Sequence, residues 1–427
     1  MVDFARVAFF ASSIVGTLSL TFCAGVYTTS TERPVAKAIV GVFDDARTLV
    51  EEIPDITHSR PVHFLMPARY RGSGVTVNRT GTDDLVLLSG FMGDDQKVRL
   101  IQRDGTVVHE WRLRFHELLP SAGQCRNPPM TDWNTSTHDT LIQPDGAILL
   151  SFESCGMVKL DRCGGKLWAT RDITHHSPNF LHDGGIIIGG AKHITSRAPW
   201  PIKSPYWEDL IRTFDANGRL RRERKITDLL LDSGMASIIS ANGQDRPGTD
   251  GEFHLNEVEE LPERFASAFP MFEAGDLLVS LRNLNMVLVT DANATRVKWY
   301  KIGPWLRQHD PDWQADGRIT VFDNHPDPTG GGSRIVAIDP KTGKTETLYG
   351  GRKGQFFSTP ERGLHQMQSD GGILIAEANY GRAFQVDRSG KMVWEYVNRF
   401  DDANVAWLSG ASAYPRSYFT VPDWSCH

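Results

Sequence analysis

HDTLIQPDGAILLSF (138–152), HSPNFLHDGGIIIGG (176–190) and HDPDWQADGRITVFD (309–323) are three copies of one pattern. Each opens on His, reaches Asp-Gly seven and eight residues later, and runs into an apolar strand. HQMQSDGGILIAE (365–377) is the same unit with its first segment two residues shorter. HLNEVEELPERFASAFPMFEAGDLLVSLR (254–282) is the same unit with an insertion before its turn. A second turn follows, then a strand ending in Asp: MVKLD (157–161), RIVAID (334–339), AFQVD (383–387). A Gly turn and an outer strand with Trp complete the unit: GGKLWAT (164–170), SGKMVWEY (389–396), and similarly DGTVVHEW (104–111).

Alternating strands joined by Gly/Asp turns make antiparallel hairpins. A recurring unit of this size is a four-stranded propeller blade. Counting 83–113 as the first unit predicts an all-β, six-bladed propeller. One strand from an extremity, PVHFLMPARY (61–70) or ASAYPRSYFT (411–420), is expected to complete a blade and close the ring. Open solenoids and sandwiches are the alternatives.

Strand direction then places the polar residues. With strands A to D counted outward from the axis, A starts at the His, and the B–C turn returns to the same face. His138, His176, His254, His309, His365 and Arg282 are thereby expected around one mouth of the channel, with no competing acidic ring. For a single such His, satisfying a backbone group near the axis is the simpler explanation. Several His with an Arg on one funnel point to an anion site.

The same geometry bears on the cysteines. Cys155 lies on the His face and Cys163 on the opposite one, separated by roughly 26 Å of extended chain, beyond disulfide reach. Cys125 is the better partner for Cys155, which leaves Cys163 and Cys426 to pair or stay free.

The chain has 427 residues, Lys plus Arg 46, Asp plus Glu 52 and net charge −6. Hydrophobic and charged residues make up 40% and 23%, near globular averages, which excludes disorder and a polytopic membrane protein. A mildly acidic chain without a basic block is not built for nucleic acid.

From Val7 to Thr31 no residue is charged. About 20 apolar residues cross the hydrocarbon core as a helix, so residues 1–31 read as a transmembrane signal-anchor or as a cleaved signal peptide. A lipoprotein reading through Cys23 is weakened by Phe22. Residues 32–58 read as a juxtamembrane amphipathic helix and linker stopped by Pro54, and 59–427 as the propeller. Either way the propeller is expected on the periplasmic or extracytoplasmic side.

QHDPDWQADGRITVFDN (308–324), SRIVAIDPKTGKTETLYGG (333–351) and GRAFQVDRSGKMVWEY (381–396) resemble the bacterial arylsulfate sulfotransferases, a similarity spanning roughly 80–420. The resemblance implies a six-bladed propeller that moves a sulfuryl group from an aryl sulfate donor to a phenolic acceptor through a sulfated histidine. His309 in the QHD motif corresponds to the nucleophile. His254 and Asn256 in FHLNE match the family's His-x-Asn pair, and Arg282 in VSLRN its sulfate-binding Arg. His176 best matches the remaining active-site His, with His175 and His138 as alternatives. An insertion, ELPERFASAF (260–269), separates His254 from Arg282. No cofactor and no metal are expected, and no P-loop or dinucleotide fingerprint is present. Two rivals stand beside this reading: a non-catalytic propeller that binds a partner at the membrane, and a quinoprotein dehydrogenase.

Overall fold

The computed structural model describes residues 61–426 except 121–124, 127, 242–252 and 327–330, together with Val50, Ile53, Pro54 and Thr57. The chain divides into two compact units, Met1–Ser59 and Arg60–His427. Within the first, Ile53, Pro54 and Thr57 are helical, and the Thr57 hydroxyl donates to the Ile53 carbonyl at 2.7 Å. Thr57 is thus helical beyond the stop expected at Pro54, while residues 55 and 56 lie outside the described residues. The predicted anchor, 1–31, lies outside the described residues. Among the described residues no helix is long and apolar enough to cross a membrane.

The second unit is a six-bladed propeller. Blade II is Thr137–Ile142, Ile148–Phe152, Gly156–Leu160 and Lys166–Ala169, from the axis outward. Blade III is Thr174–Phe180, Ile186–Ile194, Tyr206–Phe214 and Leu220–Lys225. Blade IV is Leu255–Glu260, Leu277–Leu281, Met286–Thr290 and Val297–Ile302. Blade V is His309–Trp313, Ile319–Asp323, Arg334–Ile338 and Thr345–Gly350. Blade VI is Leu364–Met367, Ile373–Glu377, Arg382–Val386 and Met392–Val397, with Gly74–Asn78 added as a fifth, outer strand.

Blade I settles how the ring closes. Its strands B to D are Leu85–Met92, Asp95–Gln102 and Val107–Arg112, and its inner strand is Leu408–Tyr414 from the C-terminal end. The C-terminal alternative is thus the closing strand. Of the N-terminal alternative, Leu65–Pro67 pairs instead with Asn404–Ala406. A ring closed by its own two ends leaves no exposed inner edge.

The recurring residues have recurring tasks. In A–B turns the Asp carboxylate accepts an N–H two residues on: Asp145 from Ala147 and Asp183 from Gly185. Asp161 and Asp387 do the same in C–D turns. Short polar side chains that bond their own turn are why Asp is favoured there. The outer-strand tryptophans latch each blade to the next. Trp111 Nε1 donates to the Asp161 carbonyl at 3.1 Å, Trp168 to Ala216 at 3.1 Å, and Trp394 to Arg103 across the closing seam at 2.9 Å. Between the blades lie apolar clusters such as Leu87, Leu100, Trp111, Phe115, Ile148 and Leu150.

Two disulfides tie loops to this frame: Cys125–Cys155, the pairing expected from strand direction, and Cys163–Cys426.

Candidate active site

The inner strands do not enter the mouth as regular ladders. Register shifts interrupt the A–B pairing at Thr137/Thr140, His175/Asn179, Leu255/Glu257, His309/Asp312 and Leu408/Gly410. At or beside three of these points the backbone turns left-handed: His176 has φ 64°, His254 53° and Asp310 52°; Arg362, ahead of the regular inner strand of blade VI, has 63°. Such conformations in non-glycine residues cost of order 1–3 kcal/mol each and persist only where surroundings impose them. Around His254 the Asp209 carboxylate does so, accepting the N–H groups of Phe253, His254 and Leu255 at 3.0, 3.0 and 3.2 Å. Bulges of this kind re-aim side chains, here into the channel mouth.

The cavity there takes residues from all six blades, among them Ser409, His138, His176, Asn256, His309 and Arg362. His176 is its hub. Its ring lies 4.2 Å from His138, 4.9 Å from His254 and 6.1 Å from His309, centre to centre. Its Nδ1 is 2.9 Å from Nδ1 of His175. His175 fits because Gly189 faces it across the ladder, where a Cβ would come within 2.9 Å of the His175 ring. Arg282, buried at the end of strand B in blade IV, donates its backbone N–H to the His254 carbonyl at 3.0 Å. Asn256 donates Nδ2 to the Gln308 carbonyl at 2.7 Å, next to His309. The five residues singled out by sequence, His309, His254, Arg282, His176 and Asn256, are therefore brought together, and His138 joins them.

His365 is not with them. Its Nδ1 is 2.7 Å from Asp310 Oδ2, within a deeper layer that includes Asp312. The place it was expected to fill in blade VI belongs to Arg362, whose guanidinium donates to the Thr137 carbonyl and the Ser136 hydroxyl. The signal was available: counting back seven residues from Asp370 lands on Gly363, beside Arg362, and not on His365. The expected absence of an acidic ring is also corrected. Asp139, Glu257, Glu259, Asp310 and Asp312 stand on the inner strands of blades II, IV and V, and Glu257 and Asp310 line the same cavity as the histidines. Alternation along a strand sends its acids to the same pore that its mouth residues line.

His309 is held in one tautomer. Its Nδ1 donates to Asn324 Oδ1 at 2.7 Å, while Asn324 Nδ2 donates to the carbonyls of Thr359 and Arg362 at 2.9 and 2.5 Å. The carboxamide can only present oxygen to the ring, so Nε2 keeps its lone pair. Sequence reading gave Asn324 no task.

Electrostatics agree. Burial, then Arg282 and His138, push the His309 imidazole down to about 3, although its bond to Asn324 works the other way. Burial and Arg362 take His138 to about 4 despite Glu153, whose Oε2 is 2.7 Å from its Nε2. Burial and the neighbouring imidazoles hold His176 well below its ordinary value, and burial with Arg282 does so for His254. The imidazoles are thus neutral near pH 7, and Arg282 and Arg362 bring the fixed positive charge.

Nitrogens of His176, His254 and His309 lie within 4.8 Å of one another, a spacing that also suits a metal. The guanidinium of Arg282, close enough to depress both His254 and His309, opposes a cation there and favours an anion.

A sequence model of the arylsulfotransferase (ASST) family matches residues 139–399, the segment that carries all of these residues but His138 and Ser409. The chain belongs to the arylsulfotransferase family. Membership in the arylsulfotransferases supports aryl sulfotransfer in general, with aryl sulfates and phenols as the substrate classes. No curated protein matches the chain. Among solved structures, a protein of unknown function from Bacteroides caccae is similar at 14% identity and TM-score 0.49, over 78% of this chain and 99% of that one. The nidogen/laminin complex gives 12% identity and TM-score 0.44, over 78% and 99%. The Dos1 propeller gives 9% and 0.40, over 80% and 78%. The six-bladed ring follows from the strand pairing of this chain itself.

Proposed function

We propose that this chain is an arylsulfate sulfotransferase that works in two displacements through sulfated His309, without a nucleotide sulfate. The observation that carries the proposal is the locked His309 tautomer within reach of the Arg282 charge.

The Nε2 lone pair attacks sulfur, and the S–O(aryl) bond breaks, with its electron pair leaving on the phenolate. The ring then bears SO3 on Nε2 and a proton on Nδ1, and Asn324 Oδ1 accepts from the ring as positive charge develops. Sulfuryl transfer spreads negative charge over three equatorial oxygens, so positioned donors do most of the catalysis, as in phosphoryl transfer. Arg282 and His254 face those oxygens, with Asn256 as a further donor. In the second displacement a phenol oxygen attacks the sulfur of the sulfohistidine, and the S–Nε2 bond breaks with its electron pair returning to Nε2. Neutral His176 takes its proton, the His138–Glu153 pair lying against that ring.

Two further inferences concern place. Two disulfides fit an oxidising compartment, which supports an exported, periplasmic propeller. The uncharged run Val7–Thr31 supports a membrane anchor for it.

Incubation with 4-nitrophenyl sulfate and a phenol acceptor tests the reaction. The wild type is expected to release nitrophenol and sulfate the acceptor, and His309→Ala to do neither. A wild type inert across several aryl sulfates would leave a module that binds sulfated aromatics without turning them over.

A further inference from the structure

Beneath the histidine mouth the channel changes sign. Asp310 and Asp312 lie on the inner strand of blade V, Glu257 and Glu259 on that of blade IV, and Asp139 on that of blade II. Acids gathered from three blades into a buried pore repel one another. Asp310 accordingly helps raise Asp139 to about 7 and Glu259 to about 8, after burial itself. Among the described residues the ion pairs of Asp310 and Asp312 are with His365 alone.

His365 gives this layer a donor of another kind. Its side chain is fully buried, at 0% exposure. Asp310 Oδ2 accepts both its backbone N–H at 2.5 Å and its Nδ1 at 2.7 Å. That fixes the proton on Nδ1 and leaves Nε2 with a lone pair. Nε2 is buried with no hydrogen-bond partner among the described residues, and it faces Asp312 Oδ2 at 3.6 Å. A buried lone pair aimed at a carboxylate oxygen is costly unless something positive lies between them. The separation is too long for a hydrogen bond. It suits two ligands of one ion, each at about 2.1 Å and subtending roughly 120°. Ligand atoms of Asp310, Asp312 and His365 all lie within 4.8 Å of one another.

We propose that His365 Nε2 and the Asp312 carboxylate bind one divalent transition-metal cation in the channel of this protein, with Asp310 holding the ring from its Nδ1 side. The Nδ1–Asp310 bond is the outer support that metal-bound imidazoles regularly carry. One nitrogen and one carboxylate, with water in the remaining positions, suit Mn²⁺ or Zn²⁺ better than a thiolate-seeking ion. Among the described residues no guanidinium bonds to this group. Because Asp310 follows His309 in the chain, the ion pins the left-handed turn that aims His309. It also cancels negative charge beneath the site where an anionic ester would sit. The proposal stands on the cluster itself and holds whether or not the chain transfers sulfuryl groups.

The test is a titration of the chelator-treated full chain with Mn²⁺, read by electron paramagnetic resonance and by calorimetry, with Zn²⁺ as competitor. About one equivalent is expected to bind, displaced by Zn²⁺. Asp312→Asn and His365→Asn should each weaken binding by at least about tenfold, and His254→Ala should leave it intact. Binding weaker than millimolar in the wild type would overturn the proposal, and that reading needs no variant to fold. So would binding that survives both Asp312→Asn and His365→Asn, or that is lost only with His254→Ala, which would move the ion to the mouth.

Discussion

Asn324 Oδ1 accepts the Nδ1 proton of His309 at 2.7 Å, and both groups are buried. Two backbone carbonyls fix which end of the carboxamide faces the ring, so the bond is a tautomer lock. Removing it by Asn324→Ala frees the proton to sit on either nitrogen. The expected outcome is a fall in kcat of about 10- to 100-fold, with KM within about threefold, since proton placement matters most when charge develops on the ring. Asn324→Asp keeps an acceptor and adds a negative charge that favours the imidazolium. Its acid limb in a pH–rate profile should move up relative to wild type. A merely structural Asn324 would lower expression or melting temperature without moving that limb.

The depressed histidines set the pH dependence. A free imidazole titrates near pH 6.5, so at pH 5 about one His in thirty would be neutral. With His309 pushed down to about 3, it stays neutral at pH 5. Single-turnover sulfation of the enzyme should therefore keep most of its pH 7 rate at pH 5. The stability sign follows from the same shift: between pH 3 and 6.5 the unfolded chain binds more protons than the folded one. His309 and His138 thus contribute stability that is full above about pH 6.5 and is lost as pH falls below it. Buried Asp139 and Asp209, each raised to about 7, work the other way, favouring the fold below about pH 4 and losing that contribution as pH rises to 7. Denaturant midpoints for His138→Gln should show a weaker acid-side decline than wild type.

The ring and most of the mouth were legible in the sequence because both follow from a repeated register. An Asp-Gly turn seven residues after a His fixes where strand A begins, and strand direction alone places Arg282 and Cys155 on the histidine face. What escaped depends on local backbone departures. A one-residue bulge reverses which side chains enter the pore. Hence Asp310, one residue past His309, turned down to bond His365, whose own strand is regular and enters the pore two residues late, leaving the mouth to Arg362. The acidic layer was equally hidden: Glu257, Glu259 and Asp312 look like surface residues of half-exposed strands until six inner strands are wrapped around one axis. The task of Asn324 needed the fold, because its partners Thr359 and Arg362 come from the following blade's loop.

Arg282 separates charge from geometry. Arg282→Lys keeps a cation but loses the planar fork that can hold two sulfuryl oxygens at once. Losses in kcat/KM of about 10- to 100-fold are expected for Lys and about 100- to 1,000-fold for Ala. His254 reports the same change independently. With Arg282 gone, its imidazole loses a nearby positive charge and should titrate at higher pH, which histidine NMR can follow. No movement of the His254 titration in Arg282→Ala would place the guanidinium too far away to share a substrate with it.

The two disulfides should separate function from stability. Cys155 lies beside Glu153 and Ser154, which line a pocket with Arg126, His175, His176 and His254. Opening Cys125–Cys155 by paired Ser substitutions should lower kcat/KM with a modest change in melting temperature. Cys163–Cys426 instead closes a loop of 263 residues far from that pocket. Chain-entropy arithmetic gives it up to roughly 5 kcal/mol, less whatever the closing strand already secures. Its removal should lower the urea midpoint and leave kinetics unchanged. Equal kinetic effects from both pairs would refute this division.

Trp394 crosses the seam where the ring joins itself, donating to the Arg103 carbonyl, while Trp168 makes the same bond between two ordinary neighbours. Each Trp→Phe change keeps most of the ring's apolar contact and removes one buried donor, leaving a carbonyl short of its partner. A cost of about 1–2 kcal/mol is expected for each. The seam has a second tie, because Leu408–Tyr414 completes blade I from the far end of the chain. A closing strand that carries the seam makes Trp394→Phe no more damaging than Trp168→Phe, and the double variant should be additive within about 0.5 kcal/mol, since the sites share no partner. Denaturant unfolding of the three variants checks this. A Trp394→Phe loss well above the Trp168→Phe loss, or a changed m-value in Trp394→Phe alone, would show instead that the indole latch holds the ring shut.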